Sequence, residues 1–241
     1  MNQPETSLYP GALAHGAIEE VFQDVFFVTG AMETVLMDLD WQFSRNMTIV
    51  RDGERLILIN SIRLSDEGLN ELDNLGRVTD VIRLGALHGR DDAFYVDRYQ
   101  AQFWTMPGIE THQLQANDLS RAAELPIGDA SIFEFDTTQI PEGILHLERD
   151  GGILVACDAL QNWLSPDEHF CEASRERMEG MGFFTPANVG PVWMQAAEPA
   201  PEDFARLKQL SFKHALCGHG APLRDEAHEA FSATFARLFQ C

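Results

Sequence analysis

The sequence has little positive charge, no long apolar run and no closely paired cysteines. Lysine occurs at only two of 241 positions, and 17 basic residues face 38 acidic ones, which gives a net charge of −21. Because such a chain repels a phosphate backbone, nucleic acid is not expected as a partner. No stretch of about 18 apolar residues occurs, so no membrane span or membrane partner is expected either.

The cysteines do not predict a disulfide framework. They are four in number, and none forms a CxxC pair: Cys157, Cys171, Cys217 and Cys241. The first 16 residues have neither the basic start nor the apolar stretch of a secretory signal peptide. We therefore expect reduced thiols and a cytoplasmic location.

Turn and cap signals divide the chain into short strands and helices. Two β-rich hairpins, 46–61 and 142–158, each turn around an Asp-Gly pair. Ser65 is the predicted N-cap of a helix over 64–76, and Ser165 that of a helix over 165–182. Further helices are predicted over 200–210 and 225–239, a short one over part of 93–104, and further strands over 21–30, 78–84, 131–136 and 212–216.

The arrangement of these elements indicates the fold class. Strands cluster in hairpins and helices are spread between them, which favours a layered α/β fold with mixed or antiparallel sheets over a parallel doubly wound sheet. With 241 residues and 45% hydrophobic residues, the chain can form a sizeable core. We expect one domain over 1–241, with residues 1–20 as a loosely structured lead-in. Residues 183–194 are predicted to be either a substrate loop or a packed connection.

Candidate chemistry lies at the ends of three predicted strands. The segments are "LGALHGRDD" (84–92), "ACDAL" (156–160) and "CGHG" (217–220). If the ends of these strands lie side by side, they bring four side chains together. These are His88, Asp158, His219 and either Asp91 or Asp92. Imidazole and carboxylate together suit zinc, iron or manganese. Each could instead be a turn residue bonded to neighbouring backbone or carboxylate groups.

In order and spacing, four segments resemble the metallo-β-lactamase superfamily. They are "MTIVRDGERLILINS", "VTDVIRLGALHGRDD", "RDGGILVACDAL" and "LCGHGAPL", and the resemblance covers roughly residues 45–225. It implies a four-layer αββα sandwich with a metal site at one edge. It also implies that Asp158 and His219 bind metal, as the family's bridging aspartate and late histidine do.

The chain departs from that family's HxHxDH motif. With His88 as the first histidine, Arg90 stands at the second, Asp92 at the aspartate and Ala93 at the last histidine. With His88 as the second histidine, Ala86, Arg90 and Asp91 stand at the other positions. In both registers an arginine, which cannot ligate metal, occupies a ligand position. The family's middle histidine falls near Gln139, and Asn60 stands where an aspartate often ends the first hairpin. The resemblance therefore implies at most one metal ion.

These residues leave two functions open. The first is a metal-dependent hydrolase acting on a small molecule, in which one zinc, iron or manganese ion is held by His219, Asp158 and either His88 or Asp92. Asp91 or Asp92 would be its catalytic general base. The second is an inactive ligand-binding or interaction protein that holds no metal, and for either function a monomer or an oligomer is left open.

In the second function, Arg90 replaces the metal charge by pairing with Asp92 or Asp158. Redox chemistry at a non-haem iron, near Cys157 and Cys217, is a weaker third alternative.

Overall fold

A computed structural model describes residues 8–36, 38–112 and 114–241. A seven-stranded sheet contains the first seven strands in sequence order. The first four strands pair antiparallel and the remaining pairings are parallel. The strands are β1 (Glu19–Phe22), β2 (Val25–Leu36), β3 (Leu39–Asp52), β4 (Arg55–Ile59), β5 (Arg77–Arg83), β6 (Gln102–Thr105) and β7 (Ala116–Asp118).

A second sheet has four strands in the order β13-β10-β9-β8. Within it β10 and β13 are parallel, whereas β8, β9 and β10 form an antiparallel meander. The strands are β8 (Ala130–Glu134), β9 (Gly143–Leu147), β10 (Ile153–Ala156) and β13 (His214–Cys217), and a separate pair is formed by β11 (Leu160–Gln161) and β12 (Asn188–Val189).

Six α-helices accompany these sheets in the described part of the chain. They are α1 (Asp66–Leu75), α2 (Asp92–Tyr99), α3 (Glu172–Gly180), α4 (Pro191–Ala197), α5 (Pro201–Leu207) and α6 (Ala227–Phe239). None of the helices in the described ranges is long and apolar enough to cross a bilayer.

Three apolar clusters define the layers. Inner-face residues of the two sheets, such as Ile57 and Val155, form a core between them. The other face of the seven-stranded sheet is covered by α1 and α2, through side chains such as Leu72 and Tyr95. The other face of the four-stranded sheet is covered by α4, α5 and α6, through residues such as Phe204. The result is the predicted αββα order of layers, in which each sheet is buried on both faces.

Most of the predicted elements are found. Both hairpins are present, as β3–β4 and as β9–β10. Helix α1 begins at the predicted cap, where the Ser65 side chain accepts a hydrogen bond from the amide of Gly68. Of residues 183–194, 188–189 form β12 and 191–194 lie in α4, so half of this predicted connection belongs to regular elements.

One prediction about local structure was wrong. The helix expected over 165–182 comprises only α3, and its N-cap is Cys171 rather than Ser165. Phe170, from the preceding loop, packs in an aromatic cluster with Trp163 and Phe183, so tertiary packing outweighs the local capping signal.

Part of the predicted lead-in is fastened to the first sheet. Gly16 and Ala31 form backbone hydrogen bonds that fasten residues 14–16 to β2, and β1 already starts at Glu19. Residues 8–13 precede this attachment, and residues 1–7 of the predicted lead-in lie outside the described residues.

Candidate functional site

Three strand ends carry the central residues of the candidate site. Strands β10 and β13 are parallel neighbours, so the turns after them place Asp158 and His219 at the same edge. The loop between β5 and α2 brings His88 to this edge. The His219 turn needs glycine at 220, where φ is +87° and a Cβ would lie 2.1 Å from the carbonyl carbon of Asn162. The backbone thus holds this histidine against a neighbouring loop.

The side chains of His88, Asp158 and His219 converge, and we call them the three-residue cluster. The two Nε2 atoms are 3.3 Å apart. His219 Nε2 lies 3.1 Å from Asp158 Oδ1, and His88 Nε2 lies 3.5 Å from Asp158 Oδ2. Ligand atoms about 2.0–2.1 Å from a tetrahedral zinc ion would be separated by about 3.3–3.4 Å, which is close to the separation of the two Nε2 atoms, whereas the two contacts with Asp158 end on different carboxylate oxygens.

Hydrogen bonding prepares His219 as a ligand. Its Nδ1 donates to the carbonyl oxygen of Ser44 at 3.1 Å, which leaves the Nε2 lone pair facing Asp158. The ring also packs against Trp163, with the ring centroids 4.7 Å apart. For His88 no such bond is found among the described residues: its Nδ1 is buried and has no partner.

Charge and burial favour the ligand forms of the cluster. Burial raises the pKa of Asp158, but the facing His88 and His219 lower that pKa more strongly, to well below its usual range. Burial lowers the pKa of His88 despite the opposing effect of Asp158. At neutral pH the site therefore presents a carboxylate beside a neutral imidazole, which are the forms that bind a metal cation.

A buried acid and a thiol lie behind Asp158. Glu142 Oε1 accepts from the amide of Ala159 at 2.6 Å, and its Oε2 has no partner among the described residues. Burial, and then the charge of Asp158, raise the pKa of Glu142 well above its usual range. Cys157 Sγ lies 3.3 Å from Asp158 Oδ2, and burial raises the pKa of this thiol.

Cys157 is also a potential ligand. With His88 and Asp158 it forms a group whose potential metal-binding atoms all lie within 4.8 Å of one another. Sequence reasoning missed Glu142, which follows a proline at the start of a hairpin and has no local signal.

Asn60 ties the ends of the central strands together. Its Nδ2 donates to the carbonyl oxygen of Ala156 at 3.1 Å, and its Oδ1 accepts from the amide of Leu84 at 3.2 Å. The side chain therefore links β4 to the segments that carry His88 and Asp158. An amide can make both bonds at once because it is donor and acceptor together, whereas a carboxylate only accepts.

The structure places Asp92 in an internal ion pair, although it was predicted as a ligand or base. Its Oδ2 lies 2.6 Å from Arg83 Nε, and its Oδ1 accepts from Ser61 Oγ at 2.6 Å. Both carboxylate oxygens are thus occupied, and the side chain is buried beneath the loop that carries His88. These contacts give Asp92 a structural role.

Asp91, the other predicted base, is also held by cations. It pairs with Arg45 and, at 2.5 Å, with Arg90, and it accepts from the amide of Arg63 at 3.0 Å. Arg90 therefore pairs with Asp91 rather than with Asp92 or Asp158 as predicted. Within the described residues, Asp158 contacts His88 and His219 and forms no ion pair with an arginine or lysine.

The three-residue cluster opens into a pocket of about 230 Å³. Its walls come mainly from the β2–β3 hairpin, the segment around β11, and the α3 and α4 regions. The apolar lining residues are Met32, Leu36, Trp41, Phe43, Leu87, Trp163, Met178, Met181, Phe183, Val192 and Trp193. Phe94 and Tyr95, in α2, belong to the core on the outer face of the seven-stranded sheet and do not line this pocket.

Comparison with known proteins supports the fold. No family model matches the sequence, and no curated protein matches it at a significant level. A metallo-β-lactamase from Erythrobacter litoralis is 12% identical, with a TM-score of 0.57 and 92% of each chain covered.

Two further solved structures agree. The metallo-β-lactamase FIM-1 from Pseudomonas aeruginosa, solved in its mono-zinc form, is 12% identical, with a TM-score of 0.58 over 95% of this chain and 97% of that one. A β-lactamase domain protein from Burkholderia ambifaria is 15% identical, with a TM-score of 0.57 over 97% of this chain and 75% of that one. This chain therefore has the metallo-β-lactamase fold, in a divergent form with an incomplete HxHxDH motif.

Proposed function

We propose that the protein is a metal-dependent hydrolase with a single metal ion held by His88, Asp158 and His219. The observation that carries the proposal is the convergence of two imidazole nitrogens and one carboxylate, 3.1 to 3.5 Å apart, at the base of a pocket. Zinc, iron and manganese all accept this donor set. The mono-zinc form of FIM-1 shows that a protein of this fold can hold one zinc ion.

Each residue of the cluster has a separate task in this proposal. A bound metal would lower the pKa of water and polarise a substrate oxygen. Asp158 supplies the negative charge of the site. His219, oriented by the carbonyl oxygen of Ser44, presents Nε2 in a fixed direction. Asp91 and Asp92 are held by arginines, so in this arrangement neither carboxylate is free to accept a proton from water.

Metal analysis of the purified protein tests this proposal. We expect about one zinc, iron or manganese ion per chain, with the content falling at least tenfold in Asp158→Ala and His219→Ala. His112→Ala is the matched control, because the side chain of His112 is 73% exposed and its ion-pair partner is the exposed Glu110. Chelator should lower the melting temperature of the native protein and of the control, but not of the two site variants.

The second candidate function is a ligand-binding protein that holds no metal. The direct contacts among the three side chains of the cluster favour it. His88, Asp158 and His219 already contact one another directly, so the buried carboxylate has partners without any cation. Should the protein bind no zinc, iron or manganese even after each is added, and show no response to chelator, the hydrolase proposal would be wrong. The pocket would then be a binding site alone.

A further inference from the structure

A second cavity, of about 430 Å³, lies beside the first pocket, and Trp163 lines both. Its walls come from β1 and the segment before it, from β2, from the loop after β11 and from the turn that follows His219. Sites for small molecules have volumes of about 300–1,000 Å³. The second cavity is therefore large enough for a ligand of its own.

The charge of this cavity has one sign. Its lining includes the carboxylates of Glu19, Asp167 and Glu168, whereas no lysine or arginine occurs among the described lining residues. Glu19 and Glu168 are exposed, and neither has an ion-pair partner within the described ranges. A cleft lined by charges of one sign concentrates ions of the other sign, and the net charge of −21 acts in the same direction. The cavity therefore attracts cations.

His169 indicates a binding site rather than an acidic surface. The residue lines the cavity but is only 8% exposed, and its ring nitrogens form no hydrogen bond in the part of the chain that the structure describes. The ring of His214, which is 5% exposed, contacts the carbonyl oxygen of Asp150 and accepts from the amide of Asp225. A buried polar group without a partner has a cost in free energy, which a ligand in the cavity would offset. A neutral imidazole has one acceptor nitrogen, so a ligand N–H suits it.

The arrangement favours an organic cation over a metal ion. Among the described residues, the group of three potential metal ligands within 4.8 Å of one another is His88, Cys157 and Asp158, at the first pocket. The acids and the imidazole of the second cavity are thus spread along its wall and do not converge on one point. Phe27 and Trp163 also line this cavity, and aromatic rings attract ammonium groups.

We infer that the second cavity binds an alkyl diamine or polyamine. The ammonium groups of the ligand pair with Glu19 and Glu168, and one N–H donates to the ring of His169. The alkyl chain lies against Phe27 and Trp163. The inference is independent of the proposed function, because none of these contacts involves a metal ion.

Isothermal titration calorimetry with 1,6-diaminohexane on chelator-treated protein tests the inference. We expect one site per chain, with an affinity at least tenfold higher than for 1,6-hexanediol, which has the same carbon chain and no charge. Magnesium chloride should compete with the diamine no better than sodium chloride of equal ionic strength. Lack of saturable binding, equal affinity for the diol, or specific displacement by magnesium would overturn the inference.

Two variants show whether the cavity itself is responsible. Glu168→Gln should weaken binding of the diamine at least threefold, and His169→Leu at least fivefold. Glu67→Gln is the matched control, because it removes the same charge from an exposed position in α1 that does not line the cavity. Binding to this control should change less than twofold.

Equal losses in Glu67→Gln and Glu168→Gln would mean that the diamine responds to net charge alone, which contradicts the inference. Circular dichroism checks that His169→Leu is folded. Should that variant not fold, the comparison of Glu168→Gln with Glu67→Gln decides the matter by itself.

Tryptophan fluorescence tests the location of the ligand. Trp163 lines the cavity and packs against His219. The diamine should therefore change the emission with the same midpoint as the heat of binding. Saturable heat with unchanged emission would place the diamine away from Trp163 and would contradict the inference.

Discussion

At the scale of single residues, the acidic pair Asp91 and Asp92 shows how burial decides a role. In the sequence both stand where a metal ligand or a base is expected. In the structure each is about 1% exposed and is bonded to arginine. A buried carboxylate needs a cation, and at these two positions the guanidinium group supplies it in place of a metal.

Asp92→Asn should therefore affect stability and leave metal binding unchanged. The substitution leaves Arg83 as a buried charge without its carboxylate, so we expect the free energy of unfolding to fall by about 3 kcal/mol. The metal content per folded chain should equal that of the native protein. Urea unfolding and elemental analysis measure the two quantities.

Asp73→Asn, in an exposed pair with Arg98, is the control and should cost less than about 1 kcal/mol. Loss of metal in Asp92→Asn would return Asp92 to the list of ligands.

At the scale of elements, buried side chains join segments that lie far apart in the sequence. Asp203, in α5, accepts from the amides of Asp136 and Thr137 at 3.0 Å each, and from Thr137 Oγ1 at 2.6 Å. It also pairs with Arg206 at 2.6 Å. The bonds fasten α5 to the chain that follows β8. They fix one of the three helices that cover the four-stranded sheet.

The contribution of Asp203 should depend on pH. Burial raises the pKa of Asp203, but the hydrogen bonds from Thr137 and Asp136 and the pair with Arg206 lower that pKa to below its usual value. When folding lowers the pKa of a carboxyl group, its ionised form stabilises the folded protein at pH values above the pKa in the unfolded chain, about 3.9. This stabilisation is lost as the pH falls through the lower pKa of the folded state.

We expect Asp203→Asn to cost about 1–3 kcal/mol at pH 7 and progressively less below about pH 4. Urea unfolding of the native protein and of the variant, at pH 7 and below about pH 4, measures the difference in the free energy of unfolding. Asp118→Asn, at an exposed position, is the control and should change little at either pH. A cost for Asp203→Asn that stays constant down to pH 2 would show that its charge is unimportant.

At the scale of the whole molecule, acidic residues greatly outnumber basic ones. A net charge of −21 on 241 residues produces self-repulsion that the compact state feels more than the unfolded chain. Salt screens such repulsion over about 10 Å at 0.1 M. Stability should therefore rise with moderate ionic strength.

Between about 10 and 200 mM NaCl we expect the melting temperature to increase, since the repulsion is screened. Calorimetry measures the shift. A triple variant with Glu67, Glu71 and Glu176 changed to Gln removes three exposed negative charges and should show a smaller increase. A melting temperature that falls with salt would mean that ion pairs, such as Arg83–Asp92, outweigh the net repulsion.

The sequence by itself predicted a layered α/β fold and two of the three residues that meet at the candidate site. Hairpin turns, the Ser65 cap and the order of strands indicated a layered α/β fold, because turn and cap chemistry depends on a few adjacent residues, and the resemblance to the metallo-β-lactamase superfamily implied the αββα order. Asp158 and His219 were located by strand ends followed by turns, and these two side chains meet because β10 and β13 are parallel neighbours.

Only the tertiary structure decided what surrounds these residues. It assigned Asp91 and Asp92 to arginines, brought Glu142 behind Asp158, and moved the start of α3 from Ser165 to Cys171. It also built the pocket from residues as distant as Trp41 and Met181. Each of these outcomes depends on contacts between segments remote in the chain. Burial and pairing between distant segments determine which partner a charged side chain has and which apolar side chains line the pocket. The spacing of residues along the chain does not encode these contacts.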